Sequence, residues 1–139
     1  MVKKIKYIFL IFFLFGAFSA TLKSQDIQAI AVIVNDEVIS RYDVNQRVRL
    51  ILVTSGIPAT EENIKRIEEQ ATKALIDEKI QIQEAIKLEV PDSPNEINLM
   101  LDNIARSNQT TAEGILQSIT SQGVNSETLL NQIKSELLW

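Results

Sequence analysis

Neither histidine nor cysteine occurs among the 139 residues, and glycine and proline are scarce, at four and three. The missing pair excludes a triad or dyad built on His, a Cys nucleophile, a disulfide framework and zinc sites of the Cys/His type. The glycines, Gly16, Gly56, Gly114 and Gly123, lie too far apart for a phosphate-cradling loop. What the composition leaves open is carboxylate or lysine chemistry, or a chain whose work is binding.

The longest apolar run sits at the amino terminus. Lys3, Lys4 and Lys6 precede Tyr7 to Phe18, a block of 12 residues, and Ala17 and Ser19 fall at the minus-three and minus-one positions of an A-x-A-like cleavage site. The pattern predicts a cleavable signal peptide over residues 1–20, with cleavage after Ser19, Ala20 or Ser24. The alternative is an uncleaved anchor, but a spanning helix needs about 20 apolar residues. The mature chain is therefore expected to have no stable membrane span, and without cysteine it cannot be a lipoprotein. Removing the leader takes three of the 14 basic residues and none of the 18 acidic ones, leaving 11 against 18, a net charge of −7. So acidic a chain, with no basic patch, argues against a nucleic-acid partner, whose phosphates require Lys and Arg. The glycosylation sequon at Asn108-Gln109-Thr110 is read as chance.

After the leader the sequence predicts one β-hairpin and about five helices. Ile30 to Val34 is a β-branched run, Asn35-Asp36 forms a turn, and Val38-Ile39 resumes the apolar character. Two strands alone are marginal in water, so the hairpin must pack on helices. Ser40 with Asp43 marks the first helix start, Val44, Val48, Ile51 and Leu52 share a face, and Gly56 ends it. Thr60 caps a helix of more than 25 residues that stops before Pro91. Its stripe runs through Ile64, Ile67, Ala71, Ala74, Leu75, Ile82, Ala85 and Ile86. Ser93-Pro94-Asn95-Glu96 carries the signals of a capped helix start. Thr110 with Glu113 predicts another, ending at Gly123, and Asn125 or Ser126 opens the last. That final helix meets no stop signal before Trp139 and reads as a chain cut inside a helix. The expected fold class is mainly α, with an N-terminal hairpin and one long central helix.

Acidic pairs such as Glu61-Glu62, Glu68-Glu69 and Asp77-Glu78 are the catalytic raw material on offer. Neighbouring residues on a helix point about 100° apart, so such pairs read as solvated faces rather than converging acids. No stretch has the alternating oxygens of a calcium loop, and neither a catalytic residue, a metal ligand nor a cofactor is expected. Glu78, inside the long helix beside its stripe, is the one acid whose partial burial would point to a role, and the plainer reading of it is a salt bridge, for example with a Lys or Arg of a neighbouring helix. Leu50, Val53 and Ile57 on the first helix, and Ile76 and Ile80 on the long one, give second apolar faces. These predict burial on two sides in a helical core or, alternatively, an exposed groove for other proteins.

The order of these features resembles the N-terminal domain of SurA-type periplasmic chaperones. The resemblance is carried by the hairpin Ile30 to Ser40 leading to Asp43-Val44, by Leu75 to Lys87, by Ile97 to Ala105, by Asn108 to Leu116 and by Gly123 to Lys134. It covers residues 26–139. It implies a periplasmic location in a Gram-negative bacterium and an ATP-independent chaperone domain that binds unfolded outer-membrane proteins and assists their folding and assembly. Full-length members carry parvulin prolyl isomerase domains and a C-terminal segment that packs back on the N-terminal domain. The resemblance therefore implies that this chain is not itself an enzyme and that it packs with a missing C-terminal segment. Two other readings stay open: a fragment of a parvulin-type isomerase whose catalytic domain lies beyond Trp139, and a helical adaptor for one folded partner. Leu50, Val53, Ile57, Leu137 and Trp139 are the expected client-binding residues.

Overall fold

The computed structural model describes residues 29–91 and 93–138, so the expected leader and Trp139 lie outside the described residues. Strands β1 (Ile30–Val34) and β2 (Glu37–Ser40) pair antiparallel, with Val34 opposite Glu37 and an irregularity between Ile30 and Val32. Five helices follow: α1 (Arg41–Ser55), α2 (Glu61–Lys87), α3 (Pro94–Ser107), α4 (Ala112–Ser121) and α5 (Ser126–Leu138). The mainly helical architecture with a long central helix is the one the sequence predicts. No described helix is long and apolar enough to cross a membrane.

Local chemistry sets most boundaries. Ser40 and Asp43 close a reciprocal capping box at the start of α1: the Ser40 hydroxyl accepts from Asp43 N at 3.1 Å while the Asp43 carboxylate accepts from Ser40 N at 2.8 Å. Gly56 ends α1 at φ 66°, and a Cβ there would meet nothing within 4 Å, so the left-handed backbone rather than space calls for glycine. Thr60 caps α2 through Asn63 N.

Two predicted caps differ. Ser93 makes no side-chain cap bond; Pro94 in the first turn and the Ser93 carbonyl accepting from Glu96 N and Ile97 N suffice. The fourth helix is capped by Thr111, not Thr110, with its hydroxyl accepting from Gly114 N at 3.0 Å. Thr110 is already committed: its N–H returns to the Ala105 carbonyl and closes the end of α3.

Buried apolar side chains form two clusters. The first joins the hairpin to α1 and α2 through Val34, Ile39, Val44, Val48, Ile67 and Ala71. The second gathers Leu101, Ile119, Val124, Leu129 and Ile133 from α3 to α5 around Leu50 of α1. Helix α1 thus serves both cores, and residues as deeply placed as Ile39 and Ile133 each contribute about 1.5–3 kcal/mol by leaving water. Ile64 and Ile86 of the predicted stripe, near the two ends of α2, are exposed.

Candidate functional site

Where β2, the start of α1, the middle of α2 and the start of α5 meet, they leave an open cleft of about 350 Å³. Val38, Tyr42, Leu75 and Ile82 supply its apolar wall, and Asn125, Glu127, Thr128 and Asn131 of the α5 end supply the polar one. Val38 is 47% exposed and Tyr42 43%, although both belong to regular elements of the hairpin core. Tyr42 stands in the first turn of α1, off the stripe of Val44 and Val48, so the helix carries it outward. Val38 and its cross-strand partner Ile33 are both exposed, while their neighbours Ile39 and Val34 are buried, as strand alternation requires.

Buried charge lies at the floor of the cleft. Arg47 of α1 and Glu78 of α2 form a two-pronged ion pair, Nη1 to Oε1 and Nη2 to Oε2, the latter at 2.8 Å, with side chains only 3% and 11% exposed. Arg47 Nη2 also donates to the Thr128 carbonyl at 3.4 Å. Two charges taken out of water are tolerated only when bonded to each other, which is how the acid singled out in the sequence is accommodated. At the rim, Lys79 donates to Glu37 at 2.6 Å and Gln83 donates to it at 3.1 Å. These hydrogen bonds, that to Lys79 foremost, hold the Glu37 carboxyl below its ordinary value of 4.5. Gln83 also donates to the Val34 carbonyl and accepts from the Asn35 side chain at 2.6 Å, fixing the hairpin turn on α2.

A second, smaller cleft of about 280 Å³ lies beyond Lys134, which lines both. Val90, Pro91, Ile97, Leu137 and Leu138 bound it. Among the described residues no group of three acidic side chains is placed to hold a metal ion.

Of the expected client-binding residues, Leu50, Val53 and Leu137 meet in the second core and Ile57 packs on the first. Leu50 is 2% exposed at the centre of the second core, so it packs helices rather than facing a ligand. Val53 is half-buried against that core and Ile57 against the first. Leu137 is half-buried and reaches the second cleft, and Trp139 lies outside the described residues. Burial on two sides is what the doubled face of α1 means. The exposed pair Val38 and Tyr42 is not among the expected residues; its signal in the sequence is an aromatic two residues past the hairpin and off the helix stripe.

Comparison with known proteins gives a consistent picture. A family model described as the SurA N-terminal domain matches residues 27–139. The Chaperone SurA of Vibrio cholerae is 29% identical over 123 residues, covering 86% of this chain and 28% of that protein. An uncharacterized protein of Rickettsia conorii is 31% identical over 137 residues, covering 98% of this chain and 44% of its own length. The Chaperone SurA of Vibrio vulnificus is 30% identical over 122 residues, 86% of this chain and 28% of that protein. The chain thus spans less than half the length of these relatives.

Proposed function

Because the chain belongs to the SurA N-terminal domain family, and is thereby a chaperone-type domain, we propose that it acts in the periplasm by holding unfolded outer-membrane proteins, without ATP and without catalysing prolyl isomerisation. The supporting observation is the uncovered apolar wall of the cleft beside the hairpin. Val38 and Tyr42 remain about half exposed on a framework anchored by the buried Arg47–Glu78 pair. An unfolded chain in transit exposes apolar side chains and unpaired backbone amides. The cleft presents the complement of both: Val38, Tyr42 and Ile82 on one side, and the Asn125 and Asn131 amides with the Thr128 hydroxyl on the other.

Each contact of this kind is weak, and a holdase needs weak contacts: tight capture would prevent release where no nucleotide cycle drives it. The acidic balance of the chain fits the same task, since it keeps the chaperone soluble while its client is exposed. We further propose that residues 1–20 are the leader that delivers the chain to that compartment.

The test is light scattering from a urea-unfolded outer-membrane β-barrel protein diluted into buffer. An equimolar amount of the chain is expected to delay aggregation; no delay refutes the proposal. Recovery of one folded partner at fixed stoichiometry, and no unfolded species, would favour a docking adaptor instead.

A further inference from the structure

The two cores are joined by unusual material. Helices α3 to α5 pack among themselves and meet the rest of the molecule along α1 and α2. Among the buried residues of α2 and α5 the small or polar Ala85, Glu78 and Ser135 stand beside the aliphatic Ile67, Leu129 and Ile133. Between α1 and that unit Gln46 of α1, 8% exposed, clasps the turn before α5 from both sides. Its carbonyl oxygen accepts from Asn125 N at 2.6 Å and its amide donates to the Gly123 carbonyl at 3.4 Å. Gly123 stands at φ 80°, so the turn depends on a backbone shape that side chains resist. One turn further along α5, Arg47 reaches the Thr128 carbonyl.

We infer that Gln46 is a latch. It holds the α3–α5 unit shut against α1, and its release lets that unit open as one body while the hairpin, α1 and α2 stay folded. The reasoning is a comparison of interfaces. Each core is closed by its own set of large aliphatic side chains, and what ties the α3–α5 unit to α1, besides Leu50 and Val53, is the set of polar bonds from Gln46 and Arg47 to residues 123, 125 and 128. Polar bonds of this kind contribute little net stability yet cost their full desolvation when one partner goes missing, so this tie is either fully engaged or released. Cooperative units separated by such a boundary open at lower free energy than the whole molecule. Opening would uncover Leu50, Leu129 and Ile133 and enlarge the cleft from its α5 side. Gln46 is in this sense a positioning residue for the cleft. That use of the motion in client capture rests on the chaperone reading above; the latch itself does not.

Native-state hydrogen exchange on the chain without client tests it. In the unsubstituted protein, amides of α4 and α5 are expected to exchange through an opening that leaves β1, β2 and α2 protected. Gln46→Leu, which keeps the volume and removes both bonds, is expected to speed exchange in α4 and α5 by about tenfold with little change in α2. Gln46→Glu, which retains the acceptor for Asn125 N, is expected to recover part of that loss. Equal acceleration in both cores, no acceleration, or a single global opening in the unsubstituted protein would each overturn the latch. Exchange without client and aggregation with it are separate readouts, so a latch found in a chain that fails to protect clients would refute the holdase alone.

Discussion

Removing one partner of the Arg47–Glu78 pair is the perturbation whose size follows most directly from the structure. In Glu78→Leu, the Arg47 guanidinium stays in a site where its side chain is 3% exposed, left with the Thr128 carbonyl at 3.4 Å. Its Nε already lacks a partner. Stranding a buried charge costs about 3–5 kcal/mol, a large part of the roughly 5–15 kcal/mol that holds a domain together. With a urea dependence near 2 kcal/mol per molar, the unfolding midpoint should fall by about 2 M. The double substitution Arg47→Met with Glu78→Leu should recover most of that loss, and it can exceed the starting stability by about 1–4 kcal/mol, because neither charge then has to be desolvated. Urea titration followed by circular dichroism, with the slope checked for constancy, completes the double-mutant cycle. A cost below about 1 kcal/mol for Glu78→Leu is the behaviour of an exposed pair. It would refute the assignment of Arg47 and Glu78 as the buried tie between α1 and α2.

Further outcomes are expected elsewhere. Ser40→Ala should lower stability by about 1 kcal/mol through loss of the capping box. Thr111→Ala should do the same at α4 while Thr110→Ala does not; the reverse order in thermal melts would restore Thr110 as the cap. Because the folded-state pKa of Glu37 is depressed, its contribution to stability is present above about pH 4.5 and is lost as pH falls through the lowered value. An NMR titration of the Glu37 carboxyl should show the depression, and Lys79→Met should largely abolish it. Val38→Ser with Tyr42→Ser should weaken protection of an unfolded client while leaving the unfolding free energy from urea titration within about 0.5 kcal/mol, since both side chains are half exposed; unchanged protection would remove the apolar wall from the binding surface.

Much of the fold is legible in the sequence because its signals are local. Ser40-Asp43, Gly56 and Thr60 each act through a bond or dihedral within a few residues, and all three stand where the spacing puts them. Glu78 was legible for a different reason: an acid beside an apolar stripe has few options except a basic partner, and Arg47 meets it. The site was harder to read because burial depends on which helix lies opposite. Leu50 and Val53 have the pattern of a spare apolar face that the second core consumes, whereas Ile57, expected on the same helix, falls past the Gly56 cap and packs on the first core from the following loop. Of the second face read on α2, Ile76 packs on the first core while Ile80 remains exposed, as does Ile86 of the main stripe. Thr110 and Thr111 illustrate the finer limit. Two adjacent threonines have equal capping ability, and the return of the Thr110 N–H to Ala105 decides between them.

Site-specific crosslinking tests the central proposal, capture of unfolded clients by the apolar wall of the cleft, most directly. A photoreactive side chain is placed at Val38 or at Tyr42, and at exposed Gln117 on α4 as a control. Each protein is illuminated with an unfolded outer-membrane β-barrel protein and again with the same protein folded. Adducts at positions 38 and 42 with the unfolded client alone, and few at 117, are the predicted result. Equal labelling at all three positions, or none at 38 and 42, would contradict it.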